Sequence, residues 1–97
     1  MVSQPERYHK VLNDIMINEL AGVVRYTHYS LMVRGPNRIP IVDLFMAQAA
    51  ESLVHAQQAG EILTGLGGHP SVRIANIGAS SLSNAHVWRL NFVVLAL

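Results

Sequence analysis

From Tyr8 onward the apolar side chains return at helical spacing: Tyr8, Leu12, Ile15, Val23, Tyr26 and Leu31, with Val11, Met16, Leu20 and Val24 beside them. Intervals of three and four place such residues on one face of a helix. The start signals agree. Ser3 can accept a hydrogen bond from a first-turn amide, Pro5 suits the first turn, and Glu6 lies where the helix dipole favours an anion. Arg34-Gly35-Pro36 supplies the stop, with Gly35 as the C-terminal cap and a proline that cannot continue the helix. The pattern therefore predicts a first helix over about 4–34, roughly 45 Å long at ~1.5 Å per residue. So long a helix fits a small domain only if it lies along a bundle.

The loop Gly35-Pro36-Asn37-Arg38-Ile39-Pro40 is short enough to send the next helix back antiparallel to the first. That second helix is expected over about 41–66, with Asp43 in its first turn and Gly65, Gly67, Gly68 and Pro70 ending it. Between positions 44 and 66 the only charged residues are Glu51 and Glu61. Leu44, Phe45, Leu53, Val54, Ile62 and Leu63 wrap most of the circumference, and Ala47, Ala49, Ala50, Ala56, Ala59 and Gly60 permit close approach. A helix apolar nearly all round is buried on more than one side. One neighbour cannot supply that burial, so the pattern calls for a bundle of at least four helices. Residues 69–97 change character. They read as irregular to helical, with a capped turn at Ser83 and a bare apolar ending, Phe92-Val93-Val94-Leu95-Ala96-Leu97. Such an ending suggests docking against another chain, or a reading frame that stops or shifts early.

Composition sharpens this picture. The 97-residue chain is 51% hydrophobic and 13% charged, against roughly 25% charged in an average soluble domain. It carries more apolar surface than one small domain buries, so a homo-oligomer, at least a dimer, is expected. A formal net charge of +1 offers no basic patch to track phosphates, and no nucleic-acid partner is expected. The absence of cysteine excludes disulfides, zinc-thiolate sites and thiol catalysis. The longest apolar run is far short of the ~20 residues of a membrane span, and no secretory leader is visible. A cytoplasmic protein without membrane association is the expectation.

Three residues interrupt the apolar pattern in a chemically suggestive way. Glu19 follows Ile15 by four residues and precedes Val23 by four, so spacing points it where the apolar side chains point. An ionised carboxylate there must be paired, protonated or bound to a cation, because leaving it bare costs several kcal/mol. It could pair with Arg25 or a partner's base, or ligate a metal. In the second helix Glu51 and His55 are four apart and so share one face. They could simply bond to each other, or bind metal. Carboxylate oxygens with an imidazole suit iron or manganese better than softer metals. The remaining candidates have plainer readings. His9, His28, His69 and His86 read as surface or boundary residues, Met16, Met32 and Met46 as bundle core, and Trp88 as an anchor for the tail. Gly65-Leu66-Gly67-Gly68 lacks the preceding strand and following lysine of a phosphate loop. No nucleophile–His–acid arrangement is present, and no catalytic residue is assigned.

Leu12-Asn13, then Asn18-Glu19-Leu20 and Tyr26, resemble the first helix of bacterioferritins in the ferritin-like superfamily, and Glu51 with His55-Ala56 resembles the ligand segment of the second. The resemblance covers roughly residues 6–68. It implies an all-α fold: a long antiparallel helical hairpin, half of a ferritin-like four-helix bundle, with a short C-terminal segment. It also implies a di-iron centre, with manganese as the alternative metal. Glu19 would be a terminal carboxylate ligand, Glu51 a bridging one and His55 the nitrogen ligand. Tyr26 would lie beside the site as a hydrogen-bonding or redox-active group. The sequence departs from the family in three places. The family spaces the second-helix pair as Glu-x-x-His, whereas here Ser52 holds that position and Glu51 lies one earlier, a swing of ~100° round the helix. Leu53 and Val54 occupy the neighbourhood of the haem-binding methionine, so no haem is expected. No acidic residue follows Glu61, so the other half of a di-iron centre cannot come from the tail.

The function that follows is iron binding of the ferritin type, oxidation and storage by resemblance. Ferroxidase activity would require a second half-site from another chain. A two-fold dimer of hairpins would supply each ligand twice. A shortened chain with an incomplete, inactive site is the slightly favoured alternative on the acid-free tail. A metal-free helical packing module is the reading from a different class.

Overall fold

The computed structural model describes residues 3–75. They form two helices, α1 (Gln4–Met32) and α2 (Arg38–Gly65), packed antiparallel into a hairpin, followed by a strap of residues 69–75, without regular secondary structure, lying back against α1. The all-helical hairpin is the fold the periodicity implied. Its principal extents are 53 × 22 × 19 Å.

Small residues set how closely the helices approach. Gly22 of α1 faces Ser52 of α2, and a β-carbon added at Gly22 would lie 3.1 Å from the Ser52 hydroxyl. Ala49, Ser52, Ala56 and Ala59 are buried along the same seam. On either side of it the packing differs. Met16, Ile17, Ala56 and Ala59 form an aliphatic cluster. Towards the loop, the Phe45 ring stacks on Tyr26 at 6.3 Å and meets the edge of Tyr29 at 5.6 Å, in the offset and T-shaped arrangements that aromatic quadrupoles favour. Burial pushes the Tyr29 phenol above its ordinary value of 10.0. The unfolded chain therefore ionises first, and the stability this group contributes is present below pH 10 and lost as pH rises further. Tyr29→Phe should flatten the alkaline limb of the unfolding curve.

The helix ends follow the expected signals with two shifts. Ser3 caps α1 by accepting from the Glu6 amide, with Pro5 in the first turn. α1 ends at Met32, two residues early, because Val33 turns to extended backbone while its amide still reaches Tyr29 O. Gly35 is therefore not the helix cap. At φ 111° it opens the turn instead, and its carbonyl accepts from the Arg38 amide across Pro36-Asn37 at 3.2 Å. α2 begins at Arg38 rather than 41, taking Pro40 into its first turn. Amides there have no acceptor within the helix, so a proline removes nothing. The far end of α2 closes as predicted. Gly67, at φ 82°, donates to Thr64 O, and Gly68 donates to Leu63 O at 2.9 Å, the paired hydrogen bonds of a glycine-terminated helix. Beneath this turn Leu63 is wholly enclosed.

The strap is tied to α1 by polar contacts. Asn13 donates from Nδ2 to His69 O at 3.2 Å and accepts the Ser71 amide on Oδ1 at 2.8 Å. Asp14 holds Lys10 at 2.6 Å and Arg73 at 3.6 Å. The hydrogen bond from Lys10, with the charges of Lys10 and Arg73, keeps the Asp14 carboxyl below its usual range. Asn13→Ala would leave the part-buried Ser71 amide without its acceptor, a cost of about 1–3 kcal/mol. Hydrogen exchange should show the loss confined to residues 69–75; unchanged protection there would rule the clamp out.

Much of the apolar surface stays open. Ile15, Leu20, Val24, Leu44, Met46, Leu53, Val54 and Ile62 are exposed, as expected for helices patterned for more neighbours than one. Met16 is core, whereas Met46 is not covered by the hairpin. Residues 76–97, most of the predicted tail with Trp88 and His86, lie outside the described residues.

Candidate metal centre

Glu19, Glu51 and His55 come together. α1 supplies Glu19 from the middle of its length, and α2, running antiparallel, brings His55 opposite it. His55 Nδ1 lies 3.6 Å from Glu19 Oε1, and its Nε2 lies 3.8 Å from Glu51 Oε1. The imidazole thus stands between a carboxylate from its own helix and one from the facing helix. Pairing of Glu19 with Arg25 is not what the hairpin adopts; the buried Arg25 Nε has no hydrogen-bond partner among the described residues.

All three side chains are more open than the stripe implied: Glu19 31%, His55 46% and Glu51 60% exposed. The cause is architectural, since among the described residues only α1 and α2 are there to cover them. Tyr26 lies two turns from Glu19 on α1, and its described contacts are aromatic, with Tyr29 and Phe45.

The donor types suit a hard or borderline divalent cation. Two donors at ~2.1 Å from a shared ion stand about 3.6 Å apart when the angle between them is near 120°, so the Glu19–His55 separation is compatible with one ion between them. A third donor is another matter. The two imidazole nitrogens point to different sides of the ring, so Glu19 and Glu51 do not converge on one point. Among the described residues no group of three or more His, Asp or Glu side chains could hold a metal ion. The hairpin brings two donors together, with a third, more exposed carboxylate beside them.

Ser52 explains the altered spacing. The residue three before His55 is 9% exposed in the seam against Gly22, whereas Glu51, one position earlier, projects to the surface. A carboxylate at 51 therefore meets His55 from outside the seam. Two features escaped the sequence reading: the burial of Ser52, whose only signal is the small residue Gly22 opposite, and the strap clamp by Asn13, a residue singled out only by resemblance.

A family model, the ferritin-like domain, matches residues 9–91, most of the chain. The chain belongs to the ferritin-like family. The match extends the likeness seen over residues 6–68 well past the second helix. No curated protein and no solved structure matches the chain. No helix among the described residues is long and apolar enough to cross a membrane.

Proposed function

We propose that this ferritin-like chain is an iron-binding protein of bacterioferritin type, in which Glu19, Glu51 and His55 form half of a di-iron centre and a second copy supplies the other half. The observation that carries this reading is the meeting of Glu19 and His55 from opposite helices on a face left open by the hairpin. Iron is the cargo. Glu19 and His55 Nδ1 would seat one ion, and the exposed Glu51 side chain, free to change rotamer, would swing from Nε2 towards it. A two-fold pairing of hairpins would present the same three donors twice and cover Ile15, Leu44 and Ile62. Oxidation of ferrous iron belongs to the completed pair rather than to the single hairpin.

A specific observation favours a second reading. His55 already has a carboxylate at each nitrogen, so the cluster is internally paired without any metal. On that reading the chain is a metal-free packing module. Anaerobic titration with Fe(II), and separately Mn(II), separates the two. The wild type should bind, and Glu51→Ala/His55→Ala should lose at least tenfold in affinity, about 1.4 kcal/mol. Equal and negligible binding by both leaves the packing module.

A further inference from the structure

The strap is held to α1 mainly by polar contacts. Val72 and Ile74 are 97% and 81% exposed, so their burial does little to keep the strap in place. Asn13 fixes its start, through His69 O and the Ser71 amide, and Ala75 touches the cluster around Met16 and Ile17 at its far end. Between these points the described tie to α1 is Arg73 with Asp14. Asp14, however, does not serve Arg73 alone. Lys10, one turn earlier on α1, holds Oδ2 of the same carboxylate at 2.6 Å, whereas Arg73 stands 3.6 Å from Oδ1. The nearer cation makes a hydrogen bond and the farther one lies beyond hydrogen-bonding distance. The lowered Asp14 carboxyl reflects the same order, the Lys10 hydrogen bond contributing most and the Arg73 charge least. Two cations gathered on one carboxylate also repel each other.

We propose that Lys10 and Arg73 compete for Asp14, and that Lys10 thereby sets how tightly the strap closes over α1. What the strap closes over is an apolar groove of about 200 Å³, bordered by Ile17, Leu20, Ala21 and Val24 of α1 and by residues 71–75. With Lys10 in place, the carboxylate is turned to the lysine and Arg73 stays at arm's length. Removing the lysine charge leaves both oxygens to the Arg73 guanidinium, whose planar fork can grip them with two parallel hydrogen bonds. The strap then draws onto α1 and the groove narrows. Lys10 and Arg73 are 77% and 72% exposed, so the contest takes place in water. Its effect is therefore modest and is screened by salt. The inference is independent of whether Glu19 and His55 bind iron.

Hydrogen exchange at the Ser71 and Arg73 amides of the full chain reads strap closure, since both donate within the strap's contacts. Lys10→Gln keeps a helix propensity near that of lysine. It should slow exchange at these amides by roughly two- to fivefold, the range of an exposed ion pair. The gain should fade at about 1 M salt, which a change in packing would not do. Asp14→Asn should speed exchange, and adding Lys10→Gln to it should then have no effect. Arg34→Gln, the same loss of charge beyond the far end of α1, should change nothing. The chain has no cysteine, so Ala21→Cys places a single thiol on the groove wall. Its labelling by a maleimide should slow with Lys10→Gln and quicken with Asp14→Asn. Faster strap exchange in Lys10→Gln would overturn the proposal, because Lys10 would then be orienting Asp14 for Arg73 rather than competing with it. So would unchanged exchange, an effect that survives in the Asp14→Asn background, or a labelling rate indifferent to both variants.

Discussion

Leu63→Ala should remove most of the hairpin's stability. Leu63 is 0% exposed, and truncating a buried leucine to alanine costs about 2–5 kcal/mol, through lost transfer energy and the cavity left behind. The lower end of ordinary domain stability is about 5 kcal/mol, so one substitution rivals the total. The site has little capacity to collapse. Leu63 lies under the glycine turn, where a β-carbon added at Gly68 would overlap the Leu63 side chain, and its own carbonyl accepts the Gly68 amide. The turn that closes α2 and launches the strap therefore rests on this side chain. Chemical denaturation followed by circular dichroism should give a much lower midpoint, whereas Ile62→Ala next door, more than half exposed, should change it little. Equal midpoints for the two variants would contradict the packing described for this end.

Ser52→Glu is the second large expected effect, and it runs against the family pattern. The substitution restores Glu-x-x-His on paper. In this hairpin, however, position 52 is 9% exposed and its β-carbon and hydroxyl face Gly22 across the helix seam. A longer side chain ending in a charge must either part the helices or leave a carboxylate unpaired in the seam, at a cost of several kcal/mol. The metal-free variant should thus be less stable than wild type. Ferrous or manganous ion should recover part of the loss, because a ligand that binds only the folded state stabilises it. A Ser52→Glu protein as stable as wild type without metal would show that the seam is looser than the Gly22–Ser52 contact implies.

The hairpin was legible in the sequence because its signals are local: a three-and-four periodicity, Ser3 as a cap, and glycines with Pro70 ending α2. The shifted start of α2 was less so, since Pro40 reads equally as a loop residue or as part of a first turn, and only the following turn geometry decides. Of the candidate centre, the meeting of Glu19 with His55 was readable from helical faces and an antiparallel connection. What spacing could not supply was exposure. A carboxylate within an apolar stripe reads as buried, yet burial depends on elements outside the two helices, and here Glu19 remains partly open. Nor could spacing show that both imidazole nitrogens would already have carboxylate neighbours. That depends on ring orientation, which no periodicity encodes. The strap is the opposite case. It is held by polar side chains of α1, Asn13 reaching across 56 and 58 residues of sequence and Asp14 pairing with Arg73, and long-range pairings of this kind leave no pattern along the chain.

The open face and the partial donor set lead to one expectation, that two hairpins make one centre. Sedimentation equilibrium of the wild-type chain with and without anaerobic Fe(II), with bound iron measured on the same samples, tests it directly. The account predicts a dimer or a higher even-numbered assembly that binds iron, with binding lost together with assembly on dilution. A chain that remains monomeric at all concentrations, whether it binds iron or not, would contradict it.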